Sequence, residues 1–344
     1  MKIGGLATII ATCFAVIAAN AETTRTVLSF DDLNGWENDN HAAALAAFRS
    51  TCGDLKKQHW PSICAVATSQ PDPKVFFELL FRPVLIESGD PGLFTGYFEP
   101  ELSGSMRRTL RYRYPIYSLP PEVKNGQLWH PREAIENQHI LAGRGLEIAW
   151  VDNPVDVFFL QIQGSGRIRL PDGSIVRVGY GGSNGHNYHS IGKELVRQGV
   201  YQPHQVSAQV IRNWVLRNPA EGTALLQTNP SYVFFRKLNG LASDKGPLGA
   251  MNRSITAHRT LAVDPAFVPL GAPVWVEKGG SSSFRRLMIA QDTGSAIKGA
   301  QRGDIFFGSG FEAGRAAGRI NDPGRMIVLL PIELAFSGIQ DAER

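Results

Sequence analysis

Thirty-six glycines and 21 prolines punctuate the 344 residues of this chain, and no other feature constrains its fold as strongly. Glycine weakens the interior of helices and strands, and proline removes a backbone donor. Short strands joined by tight corners, as in a β-barrel, are therefore favoured over a bundle of long helices. Strand candidates are Tyr112–Leu119, Val155–Ile162, Ser174–Val178 and Tyr232–Phe235, then Val274–Val276, Arg286–Ile289, Ile305–Phe307 and Met326–Leu330. Pro115 restricts the first of them to a sheet edge. Helices are expected within Glu37–Phe81, at Tyr188–Arg197 and at Gln205–Arg217, where Val206, Val210, Ile211 and Trp214 share a face. The chain is longer than one core normally supports, which predicts two domains. Turn-forming stretches at Phe98–Glu101 and Asn239–Gly249 mark two crossings, so the middle of the chain reads as an insertion into one outer domain.

Residues 1–21 carry one charge, Lys2, then an apolar run from Leu6 to Ala19 and the triplet Ala19-Asn20-Ala21. This is the pattern of a cleavable export signal, and the run is too short for a membrane span of roughly 20 residues. Its removal leaves 323 residues and lowers the formal charge from +4 to +3. So small and dispersed an excess argues against nucleic acid as a partner, yet suits a diffuse attraction to an anionic polymer. Cys13 leaves with the signal in this reading. Lipidation at Cys13 is the alternative, and Thr12 before it fits a lipid-acceptor site poorly. The remaining Cys52 and Cys64 are expected to form one disulfide, as an even pair does in an exported protein.

Three aspartates in the last quarter adjoin apolar strand material, where a charge is costly unless paired or functional. They are Asp264, Asp292 in Gln291-Asp-Thr-Gly-Ser295, and Asp304 in Gly303-Asp-Ile-Phe-Phe307. The loop through Lys298 and Arg302 can return Asp304 beside Asp292. Two close carboxylates raise the pKa of one of them, which keeps a proton available for general acid catalysis. Lys298 and Arg302 work in the opposite direction. Local capping and ion pairing of all three aspartates is the plainer reading. An aspartic protease would need a second Asp-Thr-Gly copy, and the chain has one. There is no HExxH zinc spacing and no Walker loop, so neither metal nor cofactor is expected. Thr95, Tyr97, Gln163, Ser165, Tyr180, Asn184, His186 and Tyr188 lie in or beside glycine-rich turns. They supply the rings and short polar groups that sugars require.

Phe94-Thr-Gly-Tyr-Phe98, Gln161-Ile-Gln-Gly-Ser-Gly166, Gly185-His-Asn-Tyr188 with Ser190-Ile-Gly-Lys193, and Gln227-Thr-Asn-Pro-Ser-Tyr-Val-Phe-Phe235 follow one another in order. With the three aspartates, Gly308–Gly314, Asn321 and Gly324-Arg325, this series resembles the membrane-bound lytic murein transglycosylase A family. The resemblance runs through most of the chain beyond the signal. It implies a mainly β fold with several helices: a discontinuous double-psi β-barrel from residues 22–100 and 239–344, and an inserted second β-barrel over 101–238.

The resemblance also implies a reaction. Family members cleave the β-1,4 bond between N-acetylmuramic acid and N-acetylglucosamine without water, leaving a 1,6-anhydromuramoyl end. Asp304 matches the catalytic aspartate, acting first as acid and then as base, and Asp292 is read as the neighbour that tunes and orients it. Thr95 and Tyr97 are expected to line the glycan cleft, with Gln163 and Ser165 as contacts from the inserted domain. Lys298 and Asp264, the latter read chiefly as structural, complete the candidate contacts. The expected partner is the peptidoglycan strand, together with cell-wall synthesis proteins and without nucleic acid. The expected protein is a monomer in the periplasm, in contact with the outer membrane. A non-catalytic wall-loosening module of expansin-like type is the competing class.

Overall fold

The computed structural model describes residues 23–337 other than residues 58, 125 and 281. The expected signal and Cys13 lie outside the described residues. The strands are β1 (Thr24–Val27), β2 (Phe81–Glu87), β3 (Leu93–Glu99), β4 (Glu101–Ser105), β5 (Tyr114–Tyr117), β6 (Glu147–Val151), β7 (Gly166–Arg169), β8 (Ile175–Ser183), β9 (Val233–Lys237), β10 (Thr260–Ala262), β11 (Pro273–Lys278), β12 (Phe284–Asp292), β13 (Arg302–Ser309) and β14 (Asn321–Pro331). They form two sheets, one of eight strands from both ends of the chain and one of six from its middle.

In the larger sheet the order β14-β11-β12-β10-β13-β3 closes on itself, because Asn321–Pro323 pair with Leu93–Thr95. Strands β2 and β1 continue outward from the far end of β14. The eleven-residue β14 can serve three neighbours in succession because its backbone passes close to β11 at Gly324. A Cβ there would lie 2.3 Å from Glu277 O, so only glycine fits. Two pairings in this ring are parallel, β3 with β13 and β10 with β12, and the rest are antiparallel.

Strands β10 and β11 of this ring are buried on both faces. Val274, Trp275 and Val276 of β11 are all inaccessible, because the N-terminal segment covers the outside of the ring. Helices His41–Thr51, Trp60–Thr68 and Pro73–Leu80 pack there, with Trp36 edge-on to Trp275 at 5.2 Å. Proline opens the third helix at its first position, and Asp72 caps it by accepting from Val75 N. Cys52 and Cys64 are disulfide-bonded as expected, tying the end of the first helix to the second.

The smaller sheet has the order β5-β6-β4-β7-β8-β9, and a bridge between Ser118 and Phe235 brings its two ends together. Pro115 lies in the terminal strand β5, where its missing N–H costs no ladder bond. Ile116, Ile148, Val151, Ile168, Val178 and Phe235 fill this sheet's own core. Helices Ile191–Arg197, Ala208–Arg217 and Pro219–Gln227 bury a further cluster with Val155 and Phe158.

One expected strand is a helix. Val155–Ile162 lies in helix Pro154–Gln163, opened by the Asn153 side chain accepting from Val155 N and closed by Gly164 in the left-handed region. Its near-continuous apolar run has no clear period, and the caps decide the outcome. The other segments lie within a residue or a few of their expected positions. Both crossings between the sheets converge on one carboxylate. Glu99, at the end of β3, is wholly buried and accepts from Arg167 Nε at 2.7 Å, Arg177 Nη2 at 2.8 Å and Ser309 Oγ at 2.6 Å. The two arginines also donate to the carbonyls of Ala242, Ser243 and Lys245 in the second crossing.

Candidate active site

Strand pairing brings Asp292 and Asp304 to one level of the larger ring. Ala262 of β10 is the register partner of Asp304 on one side and of Asp292 on the other. The two aspartates therefore sit two strand spacings apart, roughly 9–10 Å between Cα atoms. Beyond Asp304 lies β3, where Thr95 is its partner. Thr95 Oγ1 is 2.6 Å from Asp304 Oδ1. Tyr97, two residues along β3, shares a face with Thr95 and donates its hydroxyl to Asp292 Oδ2 at 2.8 Å. The tyrosine thus reaches from β3 to the Asp292 carboxylate.

The environments of the two aspartates differ. Asp292 Oδ1 also accepts from Ala250 N at 3.0 Å and Thr293 N at 2.9 Å, so its carboxylate receives three donors. Burial lifts its pKa to about 6 against these donors, and the charge of Asp304 adds to the rise. Burial also raises Asp304, opposed by the Thr95 hydrogen bond and the charge of Arg302. Among the described residues Asp304 Oδ2 receives no donor, and the side chain remains partly accessible. The Tyr97 phenol is pushed well above its ordinary value, by burial first and by Asp292 next, and so stays a donor. Two close carboxylates were expected to raise one member of the pair, and here both are raised. The cause is chiefly desolvation rather than direct carboxylate contact.

Arg302 was expected to act against the raised acid, and its Nη2 lies 2.7 Å from Thr95 Oγ1. Lys298 is elsewhere: two-thirds exposed, it lies 3.7 Å from Asp264 Oδ1. Asp264 accepts from Gly299 N and Ala266 N. Burial works to raise Asp264, and these donors with Lys298 overcome it, so its pKa is lowered. It therefore pins the loop that runs from Asp292 to Asp304 and does not join their hydrogen-bond network. Gln163 reaches the larger sheet from the end of its helix, accepting from Phe98 N at 3.1 Å. Ser165 is buried beside the start of β7. His186 is a satisfied turn histidine, its Nε2 2.8 Å from Trp129 O.

Sequence reading missed two features. The Arg302–Thr95 bond joins residues 207 positions apart, and only the parallel pairing of β3 with β13 reveals it. Glu99 had a visible signal, an acidic residue inside the apolar run Tyr97-Phe98-Glu99-Pro100, without visible partners. Among the described residues no group of three His, Cys, Asp or Glu side chains could hold a metal ion. No described helix is long and apolar enough to cross a membrane.

Comparison with known proteins matches residues 93–236 to the MltA specific insert domain and residues 259–330 to the 3D domain. The chain is 37% identical over 250 residues to membrane-bound lytic murein transglycosylase A of Escherichia coli (strain K12), covering 69% of this chain and 65% of that protein. The crystal structure of membrane-bound lytic murein transglycosylase from Agrobacterium tumefaciens is similar with a TM-score of 0.81 and 32% identity, covering 92% of this chain and 99% of that one. E. coli MltA with bound chitohexaose is similar with a TM-score of 0.73 and 29% identity, over 89% and 94% of the two chains.

Proposed function

Because this chain belongs to the membrane-bound lytic murein transglycosylase A family, we propose that it cleaves the β-1,4 bond between N-acetylmuramic acid and N-acetylglucosamine in peptidoglycan, forming 1,6-anhydromuramoyl ends. The observation that carries this reading is Asp304: a carboxyl with a raised pKa, one oxygen held by Thr95 and the other without a donor among the described residues. The bound chitohexaose of the E. coli relative supports a chain of N-acetylated sugars as the ligand.

Asp304 Oδ2 gives its proton to the glycosidic oxygen as the bond from that oxygen to C1 of the muramoyl sugar breaks. Positive charge spreads over C1 and the ring oxygen. The C6 hydroxyl of the same sugar attacks C1, and its proton passes to Asp304, which regains its starting state. One acid/base residue suffices because the nucleophile belongs to the substrate. Asp292, held by three donors, serves as a fixed charge that tunes Asp304, with Tyr97 orienting it. Gln163 uses Oε1 on Phe98 N and keeps its Nε2 donors for a sugar amide or hydroxyl. Lys298 and the accessible parts of Thr95 and Tyr97 extend the contact surface, Ser165 supports it from its buried place beside β7, and Asp264 holds the loop that carries Lys298.

The domain division in this reading is 22–100 with 239–344, and 101–238 inserted between them. The first domain is of double-psi type, a reading supported by six-strand closure with two parallel pairs. The place of action is the periplasm, at the outer membrane. The test is end-group analysis of murein sacculi digested with the purified protein. Anhydromuramoyl ends are expected. Reducing muramic acid ends would replace the proposal with a hydrolase, and absence of soluble product would replace it with a binding module.

A further inference from the structure

We propose that Arg302 is a positioning residue which, through Thr95, keeps the exchangeable proton of Asp304 on Oδ2; this rests on the acid/base reading of Asp304. Hydrogen-bond direction decides the matter. A guanidinium has donors only, and a hydroxyl has a single hydrogen. Arg302 Nη2 therefore donates to Thr95 Oγ1 across 2.7 Å, and the threonine hydrogen is left for Asp304 Oδ1 at 2.6 Å. The chain runs one way, from arginine to hydroxyl to Oδ1. An oxygen already accepting so short a bond is the poorer place for a proton, so the proton resides on Oδ2. Without the guanidinium, the hydroxyl is free to rotate and accept from a protonated Oδ1. The proton would then be held against Thr95 and away from the glycosidic oxygen.

The fold keeps this geometry in place. Arg302 and Asp304 are two residues apart on β13 and share a face, while Thr95 is the register partner of Asp304. Arg302 Nη1 also donates to Gly303 O at 2.6 Å and Leu93 O at 3.4 Å, anchoring the guanidinium on both strands. Burial lowers the pKa of Arg302, and the Asp304 charge offsets that pressure. The other charged or titratable groups nearby are Tyr97 on β3 and Asp292 on β12, which bond to each other. Helix Phe311–Ala317, packed on β3 and β13, carries Glu312 and Arg315 as a mutual pair. Asp322 on β14 pairs with Lys278, and the His258 ring lies edge-on to Phe307. Among the described residues Arg302 is thus the cation directed at the Thr95–Asp304 pair.

The test is steady-state release of anhydromuropeptides across pH by wild type, Arg302→Gln, Arg302→Lys, Thr95→Val and the double variant Arg302→Gln/Thr95→Val. Arg302→Gln is expected to lower kcat on the order of 10- to 100-fold with KM within about two-fold. The alkaline limb of its profile moves to higher pH, because loss of the cation favours the protonated acid. Arg302→Lys, which keeps the charge and a donor, recovers most of kcat. The double variant is no slower than Thr95→Val alone, since both changes break one chain. An unchanged kcat and alkaline limb in Arg302→Gln, or losses that multiply in the double variant, overturn the proposal. Failure of the underlying reading shows separately, as wild type without anhydro products or as turnover retained by Asp304→Asn. Far-UV circular dichroism separates misfolding from lost catalysis, and the lysine variant decides the question if the glutamine variant does not fold.

Discussion

Replacing Glu99 with alanine probes the seam between the two barrels. The carboxylate is inaccessible and faces two guanidinium groups and one hydroxyl, and truncation leaves two cations without their counter-ion. Breaking a buried pair by removing one partner costs about 3–5 kcal/mol. The structure shows how that cost divides. Arg167 keeps two carbonyl acceptors, Ser243 O and Lys245 O, and 14% of its side-chain surface, so it is partly relieved. Arg177 is 6% exposed and among the described residues keeps only Ala242 O, with its Nε already buried without a partner there. The expected loss is therefore at the lower end, about 3 kcal/mol, and consists mostly of the stranded Arg177 charge. At 2–4 °C per kcal/mol, this lowers the unfolding midpoint by roughly 6–12 °C. Glu99→Gln keeps an acceptor and a similar shape, and is expected to lose less than the alanine variant. Urea unfolding followed by tryptophan fluorescence and far-UV circular dichroism measures both. A Glu99→Ala variant within about 1 kcal/mol of wild type would mean the arginines find water or other acceptors, and would refute this reasoning.

Other parts of the structure make further predictions. Reduction of Cys52–Cys64, or their joint replacement by alanine, is expected to cost about 3 kcal/mol for a loop with a sequence separation of 12, read as a lower urea midpoint in dithiothreitol; an unchanged midpoint counts against it. Burial pushes the Asp292 carboxyl up to about 6 in the folded state, above the ordinary carboxylate range, so its favourable contribution is present at low pH and is lost as pH rises through about 6. The urea midpoint of Asp292→Asn relative to wild type should therefore rise between pH 4.5 and pH 7.5, and a pH-independent difference argues otherwise. A Cβ on Gly249 would lie 2.7 Å from Gln291 O and 3.3 Å from Asp292 Cγ. Gly249→Ala is accordingly expected to cost about 1–3 kcal/mol by overpacking, with a fall in kcat as Asp292 shifts; full activity and stability would show that the loop simply yields.

The sequence carried the fold unevenly. Strands of the last quarter were legible because short β-branched runs alternate there with Gly and Pro turns, as at Val274–Val276 and Ile305–Phe307. Helix Pro154–Gln163 was not, because its apolar run follows neither a two-residue nor a helical period. Asn153-Pro154 and Gly164 held the deciding signal in their backbone roles. Asp292 and Asp304 were legible as a pair, since charges are rare inside apolar strands. Their spacing was not: the expectation of contact becomes a separation across β10, with Tyr97 bonded to Asp292. Lys298 illustrates the limit of loop reading, because nearness in sequence to Asp292 and Asp304 put it beside Asp264 instead. Glu99 and Arg302 depend on partners 68 to 210 positions away, which no local pattern encodes.

The central claim is that one carboxyl, Asp304, moves the proton in both halves of a water-free cleavage. The measurement that tests it most directly is the yield of 1,6-anhydromuropeptides from sacculi by Asp304→Asn and wild type at equal amounts of sacculus-bound protein. The account predicts that the variant binds sacculi like wild type and releases on the order of 10²- to 10⁴-fold less product, the usual contribution of a general acid/base. Release within a few-fold of wild type would contradict it.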